Sequence, residues 1–387
     1  MPFLRPVPGM RAPALAFVAM GMVWGAFAAL VPVLKAQIGV TDAVFGLVFV
    51  VASLGAIASV WLAPLADKWL GALSVPVSSG LMGLSFLMAA ISPGPVTFIA
   101  AMVVVSALSG VSDIVMNARI SEVEAAQKQP LMSLNHAIFS LAYAVTAMAT
   151  GFAREAGFGP LAVFGSVSVA ILVMSLFMRS PHLHEEEANE ATKNGQFPRG
   201  VVWIGGLIIL TAFFTETAVE GWSALYIERD LGGGAAEGAI GPAILGLTMA
   251  VGRFFGHLLS RLFSDGLLIT AACLMSAMGA VLAAIATVPL VAQLGFGVLG
   301  LGISLVVPLA MGLIGRSVPP RQRVSALAQS SAIAYGAFLV GPAIMGGVAE
   351  AFSLAASFLL VAAILMGVIM ILIPLLTRRL RAVGAET

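Results

Sequence analysis

Residues 12–34 read APALAFVAMGMVWGAFAALVPVL, 23 positions without a charged side chain. Wound as a helix at 1.5 Å per residue, this stretch is about 35 Å long, enough to cross the ~30 Å hydrocarbon core of a bilayer. Arg5 and Arg11 precede it, and Ala26-Phe27-Ala28 resembles a signal-peptidase site. The length favours a first membrane span, and so does the internal repeat described below. The rest of the chain continues in the same way. Of its 387 residues 60% are apolar and 10% are charged, whereas soluble domains carry about 25% charged residues. A soluble fold of this length cannot hide so much apolar surface, so the solvent is the bilayer.

Apolar stretches separated by short polar breaks fall at 12–36, 43–64, 72–92, 96–118, 131–152 and 159–178. A second set falls at 201–227, 239–262, 266–287, 289–314, 324–348 and 353–376. Backbone groups in lipid must be satisfied within the segment, so each stretch is expected to be a helix. Barrel strands would be half as long and alternate in polarity. The expectation is an all-α membrane protein with twelve transmembrane helices in two six-helix bundles, residues 1–178 and 201–387, joined by a polar linker over 179–200. The linker carries His182, His184, Glu185, Glu186, Glu187, Glu190 and Lys193. It reads as a solvated segment, although the two histidines beside acids could hold a metal weakly. No metal or cofactor is expected.

Charge fixes an orientation. With both termini in the cytoplasm and twelve crossings, 16 of the 19 Lys and Arg residues fall inside, leaving only Lys35, Arg154 and Arg229 outside. This is a strong positive-inside bias, and it points to a multi-pass protein of a bacterial inner membrane. The net charge of +1 gives no support to a nucleic-acid partner. The one cysteine, Cys273, lies in an apolar run, reads as a small buried side chain and cannot form an internal disulfide. The halves also repeat faintly: Leu65-Ala66-Asp67-Lys68 follows the second helix, and Leu258-Leu259-Ser260-Arg261 ends the eighth. Six-plus-six helices in parallel repeat is a transporter architecture, with the substrate near the bilayer midplane.

An ionisable group at a helix centre costs about 2.5–3.5 kcal/mol on insertion scales, so each one is a functional candidate. Asp113 has Asn117 one turn later on the same face and is the first candidate to bind and release a proton; an ion pair with Arg119 is the structural alternative. Glu216 and Glu220 share a face of the seventh helix, where they could serve protons or cations or pair with a basic residue. Glu350 falls at the outer end of the eleventh helix and reads as interfacial. His136, with Asn135 and Ser140 nearby, is a candidate relay or a packed side chain. Trp24, Trp222 and Gln329 are candidate cavity residues, with Gln293 nearer the outer interface; tryptophan also belongs to interfacial belts. Pro32, Pro308 and Pro342 interrupt apolar helices. Enzymatic readings fail: there is no HExxH, no P-loop Gly-x4-Gly-Lys-Ser/Thr, and Ala107-Leu108-Ser109-Gly110 lacks the first glycine of a rhomboid-type protease.

Together the twelve helices, the central linker and Leu65-Ala66-Asp67-Lys68 resemble the major facilitator superfamily, whose cytoplasmic signature runs Gly-x-Leu-Ala-Asp-Arg/Lys-x-Gly-Arg. Here Ala63 stands for the first glycine, Gly71 is displaced by one position and the last basic residue is missing. The resemblance implies the major facilitator fold and a bracing role for Asp67 and Lys68, joined by Arg253. Asp113 to Arg119, Pro130 to Ser133, His136 to Ser140, Glu216, Trp222-Ser223 and Gly341-Pro342 are similar to a bacterial branch related to the fucose permeases. Those permeases use an acid in helix one and a Glu followed by Asn in helix four. Asp113 and Asn117 match the second pair; helix one has no acid between Trp24 and Leu34, and Glu216 or Glu220 is the candidate replacement. Helix five lacks the Gly-Pro signature of drug antiporters. The implied function is a monomeric, proton-coupled secondary transporter, a symporter of a small polar solute. Efflux antiport of metabolites or toxic compounds is one alternative, and a membrane-embedded sensor or scaffold without transport is another.

Overall fold

In a computed structural model, residues 8–127, 131–181, 199–260, 262–319 and 322–385 are described. Most of the 179–200 linker, with His182, His184 and its acids, lies outside the described residues. So do Arg5, Lys128, Pro130, Lys193, Arg261 and Arg321. The described chain is helical throughout, as a backbone in lipid requires.

The first helices are α1 (Arg11–Ile38), α2 (Asp42–Leu70), α3 (Ser74–Ala90), α4 (Pro95–Gln127), α5 (Leu131–Glu155) and α6 (Pro160–Ser175). After the linker come α7 (Arg199–Leu225), continued by a π turn over Tyr226–Asp230, then α8 (Ala235–Leu259), α9 (Asp265–Ala284), α10 (Pro289–Ile303) and α11 (Val306–Arg316). The last are α12 (Arg323–Ala334), α13 (Gly336–Ala351), α14 (Leu354–Gly367) and α15 (Ile373–Ala385).

Ten helical segments among the described residues are long and apolar enough to cross a membrane, two fewer than the expected twelve. Two features account for the difference. Residues 42–90 run as one 49-residue apolar segment, interrupted by a 3-10 turn at Gly71–Leu73 where Gly71 takes φ 53°. The helix Pro160–Ser175 is apolar but has only 16 residues. Two expected spans are also broken inside, 289–314 at Ser304-Leu305 and 324–348 at Tyr335. Residues 289–316 divide at Ser304-Leu305 into α10 and α11. Pro308 has no N–H to bond the Ser304 carbonyl four residues back, so the α pattern stops there. Helix α1 runs through Pro32 and α13 through Pro342 without a break.

The chain forms two compact units, residues 1–186 with 234–243 and residues 187–233 with 244–387. In the first unit α1 lies directly against α5. A β-carbon on Gly21 would collide with the Phe139 carbonyl, and one on Gly25 with the Tyr143 carbonyl. Glycines four residues apart on one face let two backbones touch. Ser168 of α6 donates to the Gly83 carbonyl of α3 at 2.8 Å, and Arg154 of α5 donates to the Ala29 carbonyl of α1 at 2.7 Å. The first turns of α8 belong here too, with Ala239 and Ala243 packed on Ala29, Ala144 and Ala147.

In the second unit, Tyr226, Phe296 and Phe358 form an aromatic core with centroids 5.0–6.5 Å apart. The Tyr226 hydroxyl donates to the Ala283 carbonyl at 3.0 Å. Cys273 is buried in α9.

Candidate functional site

In the first unit Asp113 sits within the apolar span 95–124. It is exposed on α4. The Asn117 amide nitrogen donates to its Oδ1 at 2.9 Å and to its carbonyl oxygen at 2.8 Å. One amide thus fixes the carboxylate of the residue four positions earlier. Asn117 is the hydrogen-bond partner of Asp113 among the described residues. Arg119, offered by the sequence as a possible partner of Asp113, turns elsewhere. It is 1% exposed and contacts Asp67 Oδ1 at 2.5 Å, Glu122 Oε1 at 2.9 Å and Ser74 Oγ at 3.2 Å. Asp67 is therefore tied to α4 by a charge-assisted bond, while Lys68 beside it is exposed.

The other candidates of this unit lie deeper. Asn135 is fully buried; its amide nitrogen donates to the Leu131 carbonyl at 2.8 Å and its Oδ1 has no hydrogen bond. His136 is half-buried, edge-on to Phe17 with centroids 5.0 Å apart, and its carbonyl accepts the Ser140 hydroxyl. Trp24 is half-buried, edge-on to Phe27 and Phe86 at 5.5 Å each.

In the second unit α7 presents Phe213, Glu216, Thr217 and Glu220 at helical spacing on one face. Glu216 lies near the middle of the span 199–230. Its Oε1 is buried without a hydrogen bond and stands 3.8 Å from Nη2 of Arg253. That distance is too long for a hydrogen bond and short enough for a strong charge interaction out of water. Arg253 lies inside the span 235–256, where it meets Glu216. Glu220, one turn further along, is half-buried.

Beside the acids, Phe213 stacks on Tyr335 with rings 6.2 Å apart and 9° from parallel, and lies against the tilted Phe338 ring at 5.4 Å. Tyr335 is 59% exposed at the break between α12 and α13. Gln329 is exposed on α12. Trp222 is 1% exposed, packed in the core beside the buried Ser223. Gln293 is buried in α10 and Glu350 is exposed near the end of α13.

The structure thus groups Glu216, Glu220 and Arg253 in one unit, and Asp113 with Asn117 in the other. It adds Phe213, Tyr335 and Phe338, which sequence reasoning missed. Phe213 was within reach of such reasoning, since it precedes Glu216 by three positions on one helical face; nothing in the sequence linked Tyr335 to it. No group of His, Cys, Asp and Glu able to hold a metal occurs among the described residues.

A family model described as Major Facilitator Superfamily matches residues 14–298. The chain is 28% identical over 342 residues to an uncharacterised MFS-type transporter of Yersinia pestis, covering 88% of each. It is 25% identical over 337 residues to the membrane protein MosC of Rhizobium meliloti, covering 86% of this chain and 82% of that one. Among solved structures, the nucleoside transporter NupG aligns with a TM-score of 0.73 at 13% identity, over 96% of this chain and 98% of that one. At that identity the likeness speaks for the fold alone.

Proposed function

The chain belongs to the Major Facilitator Superfamily, and we propose that it is a proton-coupled secondary carrier that moves a small polar solute by alternating access. Asp113 carries the proton in this reading. The supporting observation is its setting: a carboxylate inside an apolar span, exposed, and held by Asn117. A charge placed there costs about 2.5–3.5 kcal/mol, and Asn117 supplies a donor that stabilises the ionised form without supplying a counter-charge. Such a group can take up and release a proton as its surroundings alternate.

The solute site belongs to α7, α8 and the α12–α13 break. Glu216 and Arg253 offer an acceptor and a donor within one span, and Tyr335 offers an exposed ring face backed by Phe213. Aromatic faces with polar groups at their margin suit a ring-bearing polar solute. Sugars, as the fucose permease resemblance suggests, and nucleosides, as transported by NupG, are the first two classes to try. Asp67 braces α2 through Arg119. The fold counts twelve crossings, with the 42–90 segment divided at Gly71 and α6 included. Both termini are cytoplasmic in a bacterial inner membrane.

The test uses purified protein in liposomes that trap a pH-sensitive dye. Members of a sugar and nucleoside panel are added outside under an inward proton gradient. A transported solute accelerates lumenal acidification. Asp113→Asn is expected to abolish that acidification while retaining exchange of labelled solute at equal pH. Full proton-coupled flux in Asp113→Asn would remove Asp113 from the carrier role.

A further inference from the structure

One end of the first unit holds a cavity that the transport reading does not use. It has a volume of about 230 Å³ and is lined by Arg11 at the start of α1, Arg119 and Glu122 near the end of α4, and Arg179 and Ser180 after α6. Three arginines against Glu122 on the walls and Asp67 bound to Arg119 leave an excess of one positive charge. The walls are fixed. Arg119 is buried and bound to Asp67 and Glu122. The Arg11 Nε donates to the Phe177 carbonyl at 3.2 Å, and its guanidinium lies 5.9 Å from the centre of the Phe177 ring. The Ser180 amide donates to the Ala72 carbonyl at 3.0 Å, tying this segment to the turn between α2 and α3. Arg11 and Arg179 remain exposed, each with a fork of donors whose geometry matches phosphate oxygens.

We infer that this cavity binds a phosphate group, carried by the head group of an anionic phospholipid. Large apolar side chains stand open in the segment leading to Arg179: Phe177, in contact with Arg11, is 51% exposed and Leu176 before it 78%. They offer acyl chains a surface next to the guanidinium groups, which a free phosphate ion would not need. Basic pockets between membrane helices hold lipid head groups in this way. With the termini inside, the cavity faces the cytoplasmic leaflet.

The full-length protein in a neutral detergent is melted with added cardiolipin, with phosphatidylcholine and with inorganic phosphate. Cardiolipin is expected to raise the melting midpoint by mass action, while phosphatidylcholine has no effect. In Arg11→Gln/Arg179→Gln the apparent affinity should fall about twenty-five-fold, from roughly a factor of five per arginine. Arg11→Lys/Arg179→Lys should keep most of the shift. A shift produced equally by inorganic phosphate, and lost in the same double variant, assigns the phosphate site to a free ion and overturns the lipid. An unchanged cardiolipin shift in the glutamine variant, or no shift with either phosphate compound, overturns the site itself.

Discussion

Glu216 and Arg253 show how one charge pair can be separated into a structural and a functional part. Side-chain exposures of 14% and 27% place the pair between a surface pair, worth up to about 1 kcal/mol, and a fully buried one, whose breakage costs about 3–5 kcal/mol. Glu216→Gln removes one carboxylate from beside the guanidinium and should destabilise the protein by about 1–2 kcal/mol. Adding Arg253→Gln should restore part of that loss, with a coupling energy of about 1 kcal/mol by double-mutant cycle. Transport should stay absent in both variants if the pair binds solute. Melting curves and liposome uptake measure the two parts separately. A double variant destabilised by the sum of the single changes would show that the residues do not interact. The acids of this site were legible in the sequence, because charges in apolar runs stand out and a four-residue spacing shares a helix face. Asn117, on the same helix as Asp113, was legible too, but partners in other helices were not. Arg119 follows Asp113 by six positions and suggested itself as its partner, yet it bonds Asp67 in another helix. Pairing between helices depends on how each helix is rotated, which no local pattern encodes.

At the scale of elements, most spans were legible because the hydrocarbon core sets their length. The expected 12–36, 131–152 and 201–227 became Arg11–Ile38, Leu131–Glu155 and Arg199–Leu225. What escaped was interior breakage, as at Ser304-Leu305, where a proline acts on a carbonyl four residues away. Helix pairing also left a trace that is readable only in retrospect: Gly21 and Gly25 form the small-xxx-small pattern of touching helices. The contact of α1 with α5 makes Gly25→Ala a sharp test, since the added methyl meets the Tyr143 backbone and one helix must move. Overpacking of this kind costs about 1–3 kcal/mol, seen as a drop of several degrees in the melting midpoint. Gly165→Ala in α6 is the control. A β-carbon there meets nothing within 4 Å, and alanine favours the helix by up to about 1 kcal/mol. The midpoint should then hold or rise. Equal stability of the two variants would mean that α1 and α5 are further apart than described.

For the whole molecule, the number of crossings decides which side each loop occupies. A straight helix over residues 42–90 would be about 74 Å long at 1.5 Å per residue, more than twice the hydrocarbon core. The turn at Gly71 is therefore read as a return through the bilayer. The basic residues agree: ten crossings would carry Arg119 and Lys128 to the outer side, against the positive-inside rule, whereas twelve keep them with the other cytoplasmic charges. The loops after α3 and α5 tell the two counts apart. Phe158, 57% exposed in the loop before α6, lies outside under twelve crossings. It lies inside if residues 42–90 count as one crossing and α6 does not span. The chain favours cysteine labelling, because its single native cysteine, Cys273, is 1% exposed. Phe158→Cys should react with a membrane-impermeant maleimide in intact cells. Thr287→Cys, in the loop between α9 and α10, lies outside under either count and serves as the positive control. Leu73→Cys, at the turn between α2 and α3, should react only after the membrane is opened. Protection of Phe158→Cys in intact cells, with Thr287→Cys labelled, would return the count to ten and place the loop after α5 in the cytoplasm.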